Sequence, residues 1–79
     1  METLDLRGLR CPLPALRTKR RLARLPAGTM LEVLATDPLS GIDIPHAVRE
    51  AGGRILERRT DPDSGVEAFV IVAGESGSP

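Results

Sequence analysis

A chain of 79 residues with one cysteine and one aromatic side chain has few ways to hold itself together. Cys11 cannot close an internal disulfide or supply a Cys-rich zinc site, so the usual staples of a domain near the lower size limit are closed to it. Phe69 is the only aromatic residue. The core must therefore be built from Leu, Ile, Val and Ala, in segments whose periodicity lets them bury one face. At 41% hydrophobic residues, the chain carries enough of them to exclude wholesale disorder.

Breakers cut the chain into short alternating pieces. Leu4-Asp5-Leu6 alternates as a strand ended by Gly8. The spacing predicts a helix over 12–25, with Ala15, Thr18, Leu22 and Leu25 on one side and Leu16 and Ala23 widening the buried arc. Arg17, Arg20, Arg21 and Arg24 gather opposite, and Pro26 and Gly28 stop the helix. The run 30–36 is the clearest strand, apolar enough for a central place, and Asp37-Pro38 breaks it. A second helix is predicted over 43–51, with Asp43 as its cap and Pro45 in its first turn. Ile44, Ala47, Val48 and Ala51 form its apolar stripe, and Gly52-Gly53 ends it. Strands over 54–59 and 66–72 flank the polar loop 60–65 as a hairpin.

The order β-α-β-α-β-β gives an α/β two-layer sandwich: a four-stranded mixed sheet with both helices on one face and the last strand antiparallel to its neighbour. Residues 1–73 form a single domain, and 74–79 are expected to be a flexible tail. The uncovered sheet face is expected to expose Leu34, Phe69 or Ile71 and so to invite a partner.

The formal charge is zero but unevenly spread. Residues 1–29 carry seven basic and two acidic side chains, residues 30–79 four basic and nine acidic ones. The basic excess surrounds Cys11 in sequence and favours its thiolate and acidic partners. No signal segment or membrane-length apolar run is present, which points to a cytoplasmic protein with no membrane partner, where a free thiol is in keeping.

Cys11 lies in Gly8-Leu9-Arg10-Cys11-Pro12-Leu13-Pro14, at the predicted start of the first helix. Pro12 suits a first turn, so Cys11 is expected at the N-cap, beside unsatisfied N–H groups and the positive end of the dipole. That setting, with Arg10 adjacent, lowers a thiol pKa, while Pro12 and Pro14 stiffen the turn that presents the sulfur. Most chemistries are then eliminated. A hydrolytic cysteine needs an oriented base, and the only histidine, His46, falls on the solvent side of the second helix. A dithiol oxidoreductase needs a second cysteine. Cys11 and His46 make at most two soft ligands for a metal, and Asp37 and Asp43 read as turn and cap residues. A covalent carrier that accepts a group and surrenders it to a partner enzyme needs one exposed sulfur and docking surfaces.

The run Leu-Asp-Leu-Arg-Gly-Leu-Arg-Cys-Pro-Leu-Pro resembles the signature of the TusA/SirA family of sulfur-carrier proteins, with its Cys-Pro-x-Pro motif opening the first helix. Asp37-Pro38 and Asp43-Ile44-Pro45 resemble that family at matching spacing, and the likeness spans about residues 3–72. The resemblance implies a fold like the C-terminal domain of translation initiation factor three. It also implies that Cys11 takes a persulfide sulfur from a cysteine desulfurase or rhodanese-like donor and relays it to an acceptor protein. The branches of the family serve tRNA 2-thiolation, molybdenum-cofactor synthesis, sulfur oxidation or selenium metabolism. No cofactor is implied beyond the transient persulfide. Leu13, Ala47 and Gly53 stand where the tRNA-thiolation branch often has an acidic residue, an aromatic residue and a histidine, so donor and acceptor stay open.

Arg17, Arg20, Arg21 and Arg24 are read either as a solvated helix face or as a docking patch for an acidic donor or acceptor. Missing aromatics and zero net charge argue against direct nucleic-acid binding. The alternative to a carrier is a regulatory or RNA-contacting module with an incidental cysteine. Persulfide formation at Cys11 separates the two.

Overall fold

The computed structural model describes residues 1–74, and its elements follow the expected order. They are β1 (Glu2–Asp5), α1 (Leu13–Leu22), β2 (Met30–Ala35), α2 (Ser40–Glu50), β3 (Arg54–Thr60) and β4 (Glu67–Val72). The sheet runs β1-β2-β4-β3, with β1 parallel to β2 and β4 antiparallel to both β2 and β3. The last strand is thus inserted into the middle of the sheet. Of the tail expected over 74–79, residues 75–79 lie outside the described residues.

Register places the core. Leu31, Val33 and Ala35 of β2 are buried while Glu32 and Leu34 between them are only partly so. Pairing sets Leu31 opposite Ile71 and Val33 opposite Phe69, and directly opposed residues share a sheet face. These side chains form one cluster with Leu22 of α1 and with Ile44 and Val48 of α2, so both helices cover the same face. Each large apolar side chain fully buried there contributes about 1.5–3 kcal/mol. Phe69 and Ile71 are 0% exposed, which corrects the expectation that either faces outward. Of the residues assigned to the open face only Leu34 lies there, half-buried and opposite Ala68. Val70, also on that face, is 8% exposed and lies between its cross-strand neighbours Glu32 and Glu57.

Both helices differ from expectation at their ends. α1 stops at Leu22, three residues early, because the chain tightens into turns in which Arg24 N–H donates to Arg21 C=O at 3.0 Å and Leu25 N–H to Leu22 C=O at 3.2 Å. Its buried residues are Pro14, Thr18 and Leu22. Leu16 and Ala23 are exposed, so the arc that packs on sheet and neighbour is narrower than the six residues predicted. α2 starts at Ser40, three residues early, and Pro45 lies inside it. The reason is Asp37: its Oδ1 accepts the Leu39 N–H at 2.7 Å and its carbonyl accepts the Ser40 N–H at 3.0 Å, which turns the chain into the helix before Asp43 is reached. Asp43 is a first-turn residue and not the cap. Gly52, at φ +80, makes the stop expected there.

Candidate functional site

β1 and β2 are parallel neighbours, so the segments that leave their C-terminal ends emerge side by side. One carries Cys11 toward α1, and the other carries Asp37 toward α2. Gly8, at φ +86, turns the first segment and donates its N–H to Thr36 Oγ1 of the second at 2.9 Å. Asp37 completes the junction: Oδ2 accepts the Cys11 N–H at 2.5 Å while Oδ1 holds Leu39. One carboxylate thereby fixes the backbone that presents the sulfur and the turn that begins α2.

Cys11 is exposed, but it is not the N-cap. That position belongs to Pro12, which offers no side-chain bond, and Pro14 is buried in the first turn of α1. The thiol points across to α2 and donates to Asp43 Oδ2 at 3.1 Å. Asp43 raises the pKa of Cys11 above its ordinary value, first by accepting that hydrogen bond; partial desolvation and the negative charges of Asp43 and Asp37 add to the effect. The expected thiolate-favouring setting is therefore overturned. Arg10 lies in a hollow lined by Leu9, Thr36, Asp37, Pro38 and Leu39, and its charge acts on Asp37. Asp37 itself is held below the ordinary carboxyl range by the N–H groups of Leu39 and Cys11.

A groove between the helices leads away from the thiol, lined by Cys11, Pro12, Ala15, Leu16, Lys19, Asp43, His46, Ala47 and Glu50. Its far end is charged and internally paired. Lys19 Nζ lies 3.2 Å from Glu50, and His46 Nε2 lies 3.5 Å from the other oxygen of the same carboxylate. His46 is 66% exposed and is engaged with Glu50 rather than with the thiol.

The arginine face stands apart from this site. Arg17, Arg20, Arg21 and Arg24 line a cleft with Leu4 of β1. Arg21 is already spent, gripping Glu2 through two bonds of 2.5 and 2.6 Å. Arg17, Arg20 and Arg24 remain as the basic surface.

Of the residues singled out from sequence, the fold brings together Cys11, Pro12 and Pro14, and it separates them from the arginines. The partner that sequence reasoning missed is Asp43, 32 positions away. The signal that finds it is topological: in two consecutive parallel β-α units both helix starts lie at one sheet edge, so acidic residues opening the second helix face whatever opens the first.

Among the described residues no helix is long and apolar enough to cross a membrane. A family model described as sulfurtransferase TusA matches residues 2–72. The chain is similar to a Neisseria meningitidis protein with a provisional sulfur-carrier name, at 46% identity over 70 residues, 89% of this chain and 92% of the other. It is also similar to the sulfur carrier protein TusA of Allochromatium vinosum, at 38% identity over 60 residues, 76% and 79% of the two chains. The crystal structure of a SirA-like protein from Desulfitobacterium hafniense superposes with a TM-score of 0.79 at 36% identity, covering 95% of this chain and 100% of that one. With both chemistry-bearing helix starts and nearly all the sequence inside these matches, the chain belongs to the sulfurtransferase TusA family.

Proposed function

We propose that this protein is a sulfur carrier and that Cys11 holds the sulfur as a persulfide. The observation that carries the reading is an exposed sulfur at the junction of two helix starts, hydrogen-bonded to the Asp43 carboxylate and not to His46, which is engaged with Glu50. The names of the relatives support it. Loading is an exchange. Cys11 sulfur, as thiolate, attacks the outer sulfur of a donor persulfide; the new Cys11 S–S bond forms as the donor's S–S bond breaks, and the donor leaves as a thiolate that takes up the proton Cys11 lost. The donor class is a cysteine desulfurase or a rhodanese-like enzyme. The acceptor is a protein of tRNA 2-thiolation, of molybdenum-cofactor assembly or of another sulfur pathway, and the carrier turns over only with such partners.

Intact-mass measurement after incubation with a desulfurase and its cysteine substrate tests the assignment. Wild type gains the mass of one sulfur atom, reversed by a reducing thiol, and Cys11→Ser gains none. Gain at Cys11→Ser, or none on wild type with competent desulfurase and rhodanese donors, would overturn it.

A further inference from the structure

Three features around the sulfur belong together. First, neither Asp43 nor Asp37 has an ion-pair partner among the described residues: Lys19 and His46 in the adjoining groove are committed to Glu50, and Arg10 touches Asp37 only through space. Second, four of the seven exposed large apolar side chains sit on the two segments that meet at the thiol, Leu13 and Leu16 on α1 and Leu39 and Ile42 at the start of α2. Leu16 lines the groove that holds Cys11 and Asp43, and Leu39 lines the hollow that holds Asp37. Third, the sulfur's own hydrogen is directed at Asp43.

An apolar rim around two carboxylates that have no ion-pair partner among the described residues has a definite complement, an apolar-edged mouth with a positive charge inside it. We propose that Asp43 keeps Cys11 a resting thiol in the free protein, and that the sulfur-exchanging partner releases it by seating a cationic group against Asp43 and Asp37 while its apolar rim packs on Leu13, Leu16, Leu39 and Ile42. The cation pairs with the carboxylates and removes their opposition to negative charge on sulfur, so the thiolate forms where it is to react. This rests on the carrier reading and adds a gate to it. The raised thiol pKa in the free protein agrees with it. Such a gate keeps an exposed thiol from stray oxidation and alkylation between transfers, because the thiolate is the reactive species.

Small disulfides test the gate without any partner protein. The thiolate of Cys11 attacks one sulfur of the probe, the probe's S–S bond breaks, and the departing half takes the proton. Rates with cystamine, whose ends are ammonium groups, and with dithiodiglycolate, whose ends are carboxylates, are each normalised to mercaptoethanol as reference thiol. Wild type is expected to favour the cationic probe by about thirtyfold or more at low salt, and Asp43→Asn to reduce that preference about tenfold. Half-molar salt is expected to reduce it in wild type as well, an arm that needs no variant. A preference unchanged by both the substitution and the salt overturns the gate. The rim is tested with a desulfurase: Leu16→Ser together with Ile42→Ser is expected to slow sulfur loading about tenfold, while Met30→Ser with Leu56→Ser, exposed apolar positions elsewhere, leaves it unchanged. Equal rates in the two double variants remove the rim. A wild type that takes sulfur from no donor refutes the carrier reading, and the cystamine ratio still decides the gate.

Discussion

The two ends of α1 are held by opposite means. At the C-terminal end the helix is basic and tied down: Arg21 is locked to Glu2 of β1, Lys19 reaches Glu50 of α2, and Leu22 is buried in the core. The positive side chains also suit the negative end of the helix dipole. The N-terminal end has an exposed sulfur, no side-chain cap and two carboxylates borrowed from residues 26 and 32 positions on. At one end Lys19 and Arg21 are paired and Leu22 is packed, with Arg20 and Arg24 left on the surface; at the other, the two carboxylates at the sulfur have no ion-pair partner among the described residues. Charges that satisfy one another stabilise an element, and charges left over mark where another molecule is to bind.

The sharpest way to break the comparison is to remove the sulfur. Cys11→Ser should abolish sulfur loading entirely and leave the urea unfolding midpoint unmoved, since the group is exposed; a shifted midpoint would mean that the N-terminal end also carries the fold. Next in size, Leu22→Ala should cost about 2–5 kcal/mol in unfolding free energy while leaving the pH profile of Cys11 alkylation in place. A change in that profile would join two ends that are here held to be independent.

Asp43→Asn acts only at the chemical end. Its loss lowers the thiol pKa, so iodoacetamide should alkylate Cys11 faster at neutral pH, because more of the sulfur is then thiolate. An alkylation profile no different from wild type would discard the resting-thiol picture. Titration of stability separates the two kinds of charge. Asp5 is held down to about 2 from 3.8, first by the Arg7 side-chain hydrogen bond and then by the Arg7 N–H, and Glu2, Asp37, Glu50 and Asp61 are also lowered. A carboxyl lowered by folding stabilises above its unfolded value and loses that contribution as pH falls through its folded value, so the unfolding midpoint should drop between about pH 4 and 2. The thiol has the opposite sign. Its raised value contributes below the ordinary thiol range and fades as pH rises through the folded value, and that alkaline loss should be smaller in Asp43→Asn. The smallest effect is expected from reversing Arg20 and Arg24 to Glu: sulfur transfer from a partner slows a few-fold with a flatter salt dependence, and alkylation does not change. An unaltered salt slope would return those arginines to plain solvation.

Element order and the two-layer architecture were legible from periodicity and breakers, whereas Cys11 lies one residue ahead of the N-cap position expected for it. The face of β4 was not, because Phe69 and Ile71 alternate with Ala68, Val70 and Val72 and both faces of the strand are apolar. Only pairing with β2 decides which of them is covered. The electrostatics of Cys11 were misjudged for a similar reason. Charge counted along the chain put arginines around the sulfur, whereas charge in space put Asp37 and Asp43 there, through an adjacency made by strand pairing. Asp43 was read as a cap because Pro45 marks a first turn in most helices. Here the Asp37 turn starts the helix earlier, and Pro45 is accommodated inside it.

The central position of β4 sets the order in which the molecule can be completed. When residues 1–60 have left the ribosome, β3 has no strand to pair with, because its only neighbour in the finished sheet comes last. Leu31 and Val33 likewise wait for Ile71 and Phe69. A nascent chain cut before residue 67 holds a β1-β2 pair and two helices without the strand that joins them to β3, so it should stay sensitive to protease until the final strand slots in.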